Sequence, residues 1–253
     1  MRGFILRMIE DWRQRAPVLA QECAELWTLT LGERYDYSYV SIAVRAELPD
    51  GTPAVLKVGW PHPEAEHEAA ALAHYDGRGA VRLLAHDTER NALLLERCEP
   101  GTALLELPDE EEAFRIAAGV LRRLWRPPAE AHPFDLLSDL AAGWEALPGL
   151  DTGLVRQLAA SQGELVVCHQ DFHRGNVLRA EREPWLAIDP KPVVGEREFD
   201  TAALLRDGPG DLARRLDLLS AELALERERM RLWGIVHAVA WDHPEVARIL
   251  LTA

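Results

Sequence analysis

Residues 168–178 read Cys168-His169-Gln170-Asp171-Phe172-His173-Arg174-Gly175-Asn176-Val177-Leu178, and residues 185–191 read Trp185-Leu186-Ala187-Ile188-Asp189-Pro190-Lys191. Short apolar runs lie beside the polar positions, and such runs bounded by turn residues are typical of buried strands. Asp171, Asn176 and Asp189 are therefore predicted to fall on loops at strand ends. Loops held on a rigid scaffold are where chemistry is usually placed.

These three polar side chains suit phosphoryl transfer. Transfer from ATP needs Mg²⁺ held against the phosphates and a carboxylate that orients the attacking hydroxyl. Mg²⁺ prefers oxygen ligands and keeps several waters, so one carboxylate and one amide can suffice. We therefore predict Asn176 and Asp189 as metal ligands and Asp171 as the catalytic base. The spacing His-x-Asp-x4-Asn, which begins at His169, is the catalytic-loop pattern of kinases.

The same segment resembles a known family. The loop from His169 to Asn176 is similar to that of aminoglycoside phosphotransferases, and the continuation over 186–196 resembles the streptomycin and hydroxyurea phosphotransferase branch. The resemblance runs from about Gly51 to Asp207. It implies an ATP-dependent enzyme that moves the γ-phosphate to a hydroxyl of a small molecule, an aminoglycoside such as streptomycin or a different acceptor such as hydroxyurea.

The order of the elements, taken with this resemblance, predicts an α+β, two-lobed, protein-kinase-like fold. Strand patterns dominate as far as residue 97, behind a leading helix over 8–27 that Pro17 is expected to break. From Asp109 onward, apolar residues recur at helical spacing. Residues 1–97 are therefore predicted to form a nucleotide-binding lobe with a small antiparallel sheet. Residues 98–253 are predicted to form a helical lobe with the catalytic loop and the acceptor site.

Lysine usage singles out two positions, because Lys57 and Lys191 are the only lysines in the sequence. A lysine on an apolar strand is rare unless it is paired. In kinases such a lysine reaches the α- and β-phosphates of ATP, and the resemblance assigns Glu68 as its partner, on a helix predicted from about Glu64. An edge-strand lysine that faces solvent is the alternative for Lys57. Lys191 is expected to touch phosphate or to pair with Asp171.

The segment that follows the strands is predicted to be a hinge between the lobes. In kinases the hinge binds adenine through backbone groups, so the resemblance implies nucleotide contacts at Glu96 and Cys98. Nothing in the sequence marks the Cys98 thiol for a lowered pKa, which argues against a nucleophile. Kinases usually carry a glycine-rich loop between the first two strands. The turn over 34–39 lacks glycine, so looser phosphate binding through Ser38 and backbone amides is expected there.

Two other functional classes compete with a kinase. The pattern His169-x-Asp171-x-His173 could ligate a metal, as in a hydrolase. That hypothesis gives no role to Asn176 or Asp189. The other alternative is a non-catalytic, pseudokinase-like module that binds nucleotide. Such modules tend to lose the base or the metal carboxylate, and this chain keeps both, which favours an enzyme.

The amino-acid composition limits the cellular compartment and the binding partners that are expected. The net charge of −14 argues against a nucleic-acid binder. Three cysteines make no disulfide framework and predict a reducing cytoplasm. The apolar runs are too short for a bilayer span or a signal peptide, so no membrane partner is expected. The expected protein is a cytoplasmic monomer or weak dimer whose partner is a small-molecule hydroxyl acceptor.

Acidic residues cluster after the second metal ligand. They are Glu196, Glu198, Asp200 and Asp207. Low-dielectric cleft walls would focus the field of such carboxylates, and a guanidinium could be held by them bidentately. We therefore predict an acidic pocket that selects a cationic or polyhydroxyl acceptor. The alternatives for Asp200 are a helix cap or a buried brace of the catalytic loop.

Overall fold

The computed structural model describes residues 2–35, 40–62, 66–208 and 210–253, with side chains from Arg7 onward. The chain divides into two compact units. One unit comprises Met1–Gly77 and Val81–Cys98, and the other comprises Arg78–Ala80 and Glu99–Ala253. Each unit contains its own cluster of buried apolar side chains, so each packs around a separate core.

In its described residues, the first unit combines an antiparallel sheet with two helices. Its elements are α1 (Arg2–Trp27), β1 (Thr30–Tyr35), β2 (Ser41–Glu47), β3 (Pro53–Gly59), α2 (Glu68–Tyr75), β4 (Leu83–Asp87) and β5 (Ala92–Glu96). The five strands lie in the order β1-β2-β3-β5-β4, and every neighbouring pair is antiparallel. The predicted small antiparallel sheet of the first part of the chain is confirmed.

The predicted break in the leading helix is wrong. Helix α1 runs through Pro17 without interruption. Pro17 lies on the exposed side, whereas Trp12, Ala16 and Cys23 pack with the buried face of the sheet. Proline removes one helical hydrogen bond. Tertiary packing of an apolar face supplies most of the stability of a helix, and here it outweighs that loss.

Strand β3 fixes the position of the first lysine. Ala54, Leu56 and Val58 are fully buried, and the two-residue period of a strand directs Lys57 to the opposite face. Because β3 lies between β2 and β5, Lys57 is on an interior strand of the sheet. The edge-strand alternative for Lys57 is therefore wrong.

Two sequence predictions of the first unit involve residues outside the described ranges. The helix predicted from about Glu64 begins at Glu68 in the structure, and residues 63–65 are not among those described. Of the turn over 34–39 that lacks glycine, residues 34 and 35 belong to β1, and residues 36–39, with the predicted phosphate contact at Ser38, lie outside the described residues. Helix α2 buries Ala71, Leu72 and Tyr75, so its apolar stripe confirms the predicted helix.

The second unit is mostly helical. Its helices are α3 (Glu110–Leu124), α4 (Leu137–Trp144), α5 (Thr152–Ala160), α6 (Arg197–Asp200), α7 (Ala202–Leu205), α8 (Leu212–Leu223), α9 (Arg227–Ala240) and α10 (Pro244–Leu250). Its strands are β6 (Asp135–Leu136), β7 (Leu165–Cys168), β8 (Val177–Arg179), β9 (Trp185–Ala187) and β10 (Val193–Glu196). Strands β6, β10 and β7 form one sheet, and β8 and β9 form a hairpin.

Local signals account for some of these elements and not for others. Helix α3 begins where the helical spacing begins, because the Asp109 carboxylate caps it by accepting from the backbone N–H of Glu112 at 3.0 Å. Strand β10 and helix α10 were not predicted. β10 is a short strand that pairs with the distant β7. Within the described parts of the chain, no helix combines the length and the apolar character needed to cross a bilayer.

Candidate active site

Two loops of the second unit lie against each other. One follows β7 and leads through a 3₁₀ helix, Arg174–Asn176, into β8, and the other follows β9. The backbone N–H of Ile188 donates to the carbonyl of Asn176 at 2.9 Å, and that of Lys191 donates to the carbonyl of His169 at 3.0 Å. These bonds cross between the loops, so the polar residues of both segments occupy one site.

The Asp171 carboxylate lies between two cations. Its Oδ2 accepts from Lys191 Nζ at 2.9 Å, and its Oδ1 pairs with Arg206 Nη2. Burial by itself raises the pKa of the Asp171 carboxyl, but Lys191 and Arg206 outweigh burial and hold that pKa below its usual range. Asp171 is therefore ionised at neutral pH and can accept a hydrogen bond from a hydroxyl group. The predicted pairing of Lys191 with Asp171 is confirmed.

The two predicted metal ligands have distinct local geometry. The Nδ2 amide of Asn176 donates to the backbone carbonyl of Asp171 at 3.0 Å, so its Oδ1 oxygen is the atom that can ligate a metal. Asp189 has a φ of 59°, in the left-handed region that non-glycine residues rarely adopt. Such backbone strain persists where the surrounding structure enforces it, and it clusters at functional sites.

A buried carboxylate braces the catalytic loop. Asp200 is fully buried and accepts from the backbone N–H of Gln170 at 2.7 Å and from the Trp125 indole N–H at 2.8 Å. Gln170 has a φ of 66°, so the brace acts on a strained residue beside Asp171. Burial raises the pKa of Asp200 above its usual range. The brace alternative for Asp200 is thus confirmed, and its assignment to the acidic acceptor pocket is wrong.

Removal of the Asp200 charge tests this brace. In the variant Asp200→Asn an amide N–H would face a donor, either the backbone N–H of Gln170 or the indole of Trp125. We expect the free energy of unfolding to fall by about 1–3 kcal/mol, as for a buried donor without a partner. Urea denaturation measures it, with Glu89→Gln as control, since that side chain is 92% exposed. Equal unfolding midpoints for the two variants would contradict the brace.

The predicted acidic pocket is also not formed by the other carboxylates. Glu196 is buried and accepts from Arg229 Nε at 2.7 Å, and Asp207 is buried and accepts from Arg174 Nε at 3.0 Å. Glu198 is partly exposed, and burial raises the pKa of its carboxyl. The prediction is wrong for Glu196, Asp200 and Asp207, because internal donors engage these carboxylates. The selection of a cationic or polyhydroxyl acceptor stays a prediction. The groups beside the Asp171 carboxylate are cations instead.

The histidines of the loop do not form a metal centre. His169 is fully buried with its Nε2 2.9 Å from the carbonyl of Ile188, and burial lowers its pKa. His173 Nδ1 accepts from the backbone N–H of Gly175 at 3.1 Å. Among the residues that the structure describes, no three His, Cys, Asp or Glu side chains are grouped to hold a metal. The hydrolase alternative is therefore wrong, and His169 is structural.

The first unit contains the predicted lysine pair. Lys57 Nζ lies 2.7 Å from both carboxylate oxygens of Glu68, and the two side chains are only 15% and 6% exposed. The ion pair predicted from the sequence is confirmed. Glu96 accepts from the backbone N–H of Arg82 at 2.9 Å, and Cys98 is buried. Nucleotide contacts at Glu96 and Cys98 stay a prediction.

Sequence reasoning missed Arg206. This residue follows the short helix α7 and contacts Asp171, which lies 35 positions earlier in the chain. It is one of many arginines in the sequence and falls in no motif. Its importance depends on a long-range contact, and the only sequence signal is its place at the end of the region of family resemblance.

The fold is that of small-molecule kinases. A choline kinase from Streptococcus pneumoniae superposes with a TM-score of 0.64 at 13% identity, covering 92% of this chain and 90% of that one. A macrolide 2'-phosphotransferase from Brachybacterium faecium superposes with a TM-score of 0.58 at 16% identity, covering 94% and 98%. At these identities the likeness defines the fold, and the predicted α+β kinase-like class is confirmed.

Residues 27–242 match the family described as aminoglycoside/hydroxyurea antibiotic resistance kinase. A streptomycin 6-kinase from Streptomyces griseus is 35% identical, over 91% of this chain and 84% of the relative. A hydroxyurea phosphotransferase from Kitasatospora aureofaciens is 36% identical, over 88% and 71%. The chain belongs to the aminoglycoside/hydroxyurea antibiotic resistance kinase family. It is a small-molecule phosphotransferase, as the family resemblance implied.

Proposed function

We propose that this protein transfers the γ-phosphoryl group of Mg²⁺-bound ATP to a hydroxyl of an aminoglycoside of the streptomycin type. The observation that carries the proposal is the cluster formed by Asp171, Asn176 and Asp189 on two hydrogen-bonded loops. The cluster offers a base and two oxygen ligands. Three free cysteines, all buried, support a reducing cytoplasmic setting, with the protein as a monomer or weak dimer.

The donor set fits magnesium. Asn176 Oδ1 and the Asp189 carboxylate are hard oxygen ligands, and Mg²⁺ is commonly bound by one or two such groups with phosphate oxygens and water. The hydrogen bond from Asn176 Nδ2 to the backbone of Asp171 fixes which amide atom is presented. Asn176 and Asp189 would hold the ion, and Mg²⁺ bound there would neutralise part of the phosphate charge. The left-handed backbone of Asp189 is the strained position of this pair.

Asp171 orients the acceptor hydroxyl and receives its proton. Its lowered pKa makes it a weak base, so its main contribution is to align the hydroxyl oxygen with the phosphorus atom. Lys191 neutralises part of the carboxylate charge at 2.9 Å. The Lys191 ammonium therefore reduces the repulsion between Asp171 and an incoming phosphate group.

The lysine of the first unit binds the nucleotide phosphates. Lys57 extends from an interior strand, and Glu68 holds its ammonium by two contacts of 2.7 Å. A lysine fixed by a buried carboxylate presents a compact charge to the α- and β-phosphates. The backbone of the segment from Glu96 to Cys98 contacts the adenine ring. These roles follow the kinase pattern, which the confirmed family membership supports.

A charge-conserving substitution tests the role of Lys57. In Lys57→Arg the guanidinium fork is wider than an ammonium and cannot occupy the same place between Glu68 and the phosphates. We expect kcat/KM for MgATP to fall by about 10²-fold, the scale of a positional error of about 1 Å. Steady-state kinetics measures it, with the exposed exchange Arg13→Lys as control. Turnover equal to that of the wild type would remove Lys57 from the nucleotide site.

An acceptor panel tests the proposed substrate. Purified protein is incubated with MgATP and streptomycin, hydroxyurea, or a neutral sugar alcohol, and each product is identified by mass spectrometry. We expect streptomycin to gain one phosphoryl group in a reaction that EDTA abolishes. Wild-type protein that binds MgATP but phosphorylates none of these acceptors would contradict the proposed function.

Hydroxyurea is the second candidate acceptor. The hydroxyurea phosphotransferase relative is 36% identical, level with the 35% of the streptomycin 6-kinase relative. The two acceptors differ in size and charge, so a single competition assay with both compounds separates them. Phosphorylation of hydroxyurea alone would overturn the aminoglycoside proposal and leave the phosphotransfer mechanism intact.

A further inference from the structure

The second cation on Asp171 belongs to a part of the chain outside the catalytic motifs. Arg206 follows α7, and its Nη2 pairs with Asp171 Oδ1. Its Nη1 lies 3.4 Å from His243 Nε2, at the residue that precedes α10. The contacts therefore connect the catalytic loop to the beginning of the last helix through one guanidinium.

The surroundings of the Arg206 side chain indicate a functional role for it and not a contribution to the stability of the fold. Its side chain is 13% exposed, and its buried Nε–H has no hydrogen-bond partner among the described residues. A buried donor without a partner is destabilising, and a buried ion pair is often no better for stability than apolar packing. An arginine kept in such a place is better explained by what it does to Asp171.

We propose that Arg206 is a positioning residue for Asp171, and that His243 sets the orientation of Arg206. The inference rests on the proposed role of Asp171 as the base. Lys191 and Arg206 contact different oxygens of one carboxylate, so together they fix both its rotation and its tilt. Without Arg206 only the Oδ2 side remains held by a cation. The carboxylate then rotates about the Lys191 contact, and the acceptor hydroxyl loses its alignment.

His243 contributes as the acceptor for one edge of the guanidinium. At 3.4 Å the contact is long for a hydrogen bond, so its effect is expected to be smaller than that of Arg206 itself. His243 Nδ1 also lies 3.4 Å from Glu245 in the first turn of α10. The junction of α9 and α10 thus forms part of the support of the active site.

Four variants and one control test the proposal. They are Arg206→Met, Arg206→Lys, His243→Leu and His243→Gln, with the exposed α10 exchange Arg248→Met as the control. Each is assayed for kcat with streptomycin and for the Kd of MgATP by calorimetry. Crystal structures of the wild type and of Arg206→Met report the position of the Asp171 carboxylate.

A positioning role predicts a specific division between kcat and binding. We expect Arg206→Met to lower kcat by about 10²-fold with the Kd of MgATP changed less than about twofold. Arg206→Lys restores about tenfold of that loss, because a cation again reaches Oδ1. His243→Leu lowers kcat a few-fold, and His243→Gln, which keeps an acceptor, lowers it less. Arg248→Met matches the wild type.

Several results would overturn the inference. One is a kcat for Arg206→Met within about threefold of the wild type, and another is a parallel loss of MgATP affinity. If Arg206→Met fails to fold, Arg206→Lys and His243→Leu decide, and wild-type kcat in both would exclude the role. If the wild type phosphorylates neither streptomycin nor hydroxyurea, the proposed function fails. The role of Arg206 is then judged by the two crystal structures, and an Asp171 carboxylate that keeps its wild-type position in Arg206→Met rejects the role.

Discussion

Asp171→Asn is expected to lower phosphoryl transfer by about 10²–10⁴-fold, the usual contribution of a positioned acid–base group. The amide keeps the size of the side chain but cannot take the hydroxyl proton. In the wild type, Lys191 and Arg206 contact the Asp171 carboxylate. In the variant, each of these cations would meet either the amide N–H or the uncharged amide oxygen of the new side chain. MgATP affinity should stay nearly unchanged, because the proposed site has Asp171 contacting the acceptor and holding little of the nucleotide.

The measurement pairs kcat with the Kd of MgATP. Asp139→Asn is the matched control, since Asp139 is an exposed carboxylate of the same unit. A loss confined to kcat supports a base that acts in the transition state. If nucleotide affinity fell as steeply as turnover, Asp171 would be part of the nucleotide site, and its assignment as the base would be wrong.

Asp189→Ala is expected to abolish magnesium-dependent turnover. Loss of a group that only supports a metal ligand commonly lowers metal affinity or activity by about 10–100-fold. Loss of the carboxylate ligand itself should exceed that range. Asn176 would remain as the one protein ligand, and an amide oxygen carries no charge to hold a divalent cation against competing water.

A magnesium titration of turnover separates binding from catalysis. Asp189→Asn, which keeps an oxygen at the same place, should need much more Mg²⁺ and recover part of the activity. Asp189→Ala should not recover at any concentration tested. Because Asp189 has a left-handed backbone, Asp189→Gly is the control for strain relief, and it should behave like the alanine variant. Full activity in Asp189→Ala would remove it from the metal site.

The sequence predicted the parts of the site that depend on local chain geometry. Asp171 and Asn176 are separated by five positions on one loop, so their proximity follows from spacing. Lys57 stood out as a lysine on an apolar strand, and the kinase resemblance then assigned Glu68 as its partner. Such features need only residue chemistry, spacing and a motif match, which a single sequence contains.

Other features depended on contacts that spacing does not encode. Asp200 and Asp207 looked like a continuous acidic stretch, but each meets a buried donor from a distant element. Arg206 reaches Asp171 across 35 positions. Pro17 was expected to break the leading helix. The expectation failed because packing of the apolar face of α1 against the sheet is a tertiary property, which spacing does not encode. Tertiary packing routinely overrides local propensity in this way.

The arrangement of metal, base and acceptor is tested most directly by a crystal structure with Mg²⁺, a non-hydrolysable ATP analogue and streptomycin. We expect a metal ion about 2.0–2.1 Å from oxygens of Asn176 and Asp189. An acceptor hydroxyl should lie about 2.6–3.2 Å from the Asp171 carboxylate. A metal ion bound without these two residues, or a streptomycin whose hydroxyls all face away from Asp171, would contradict the proposed site.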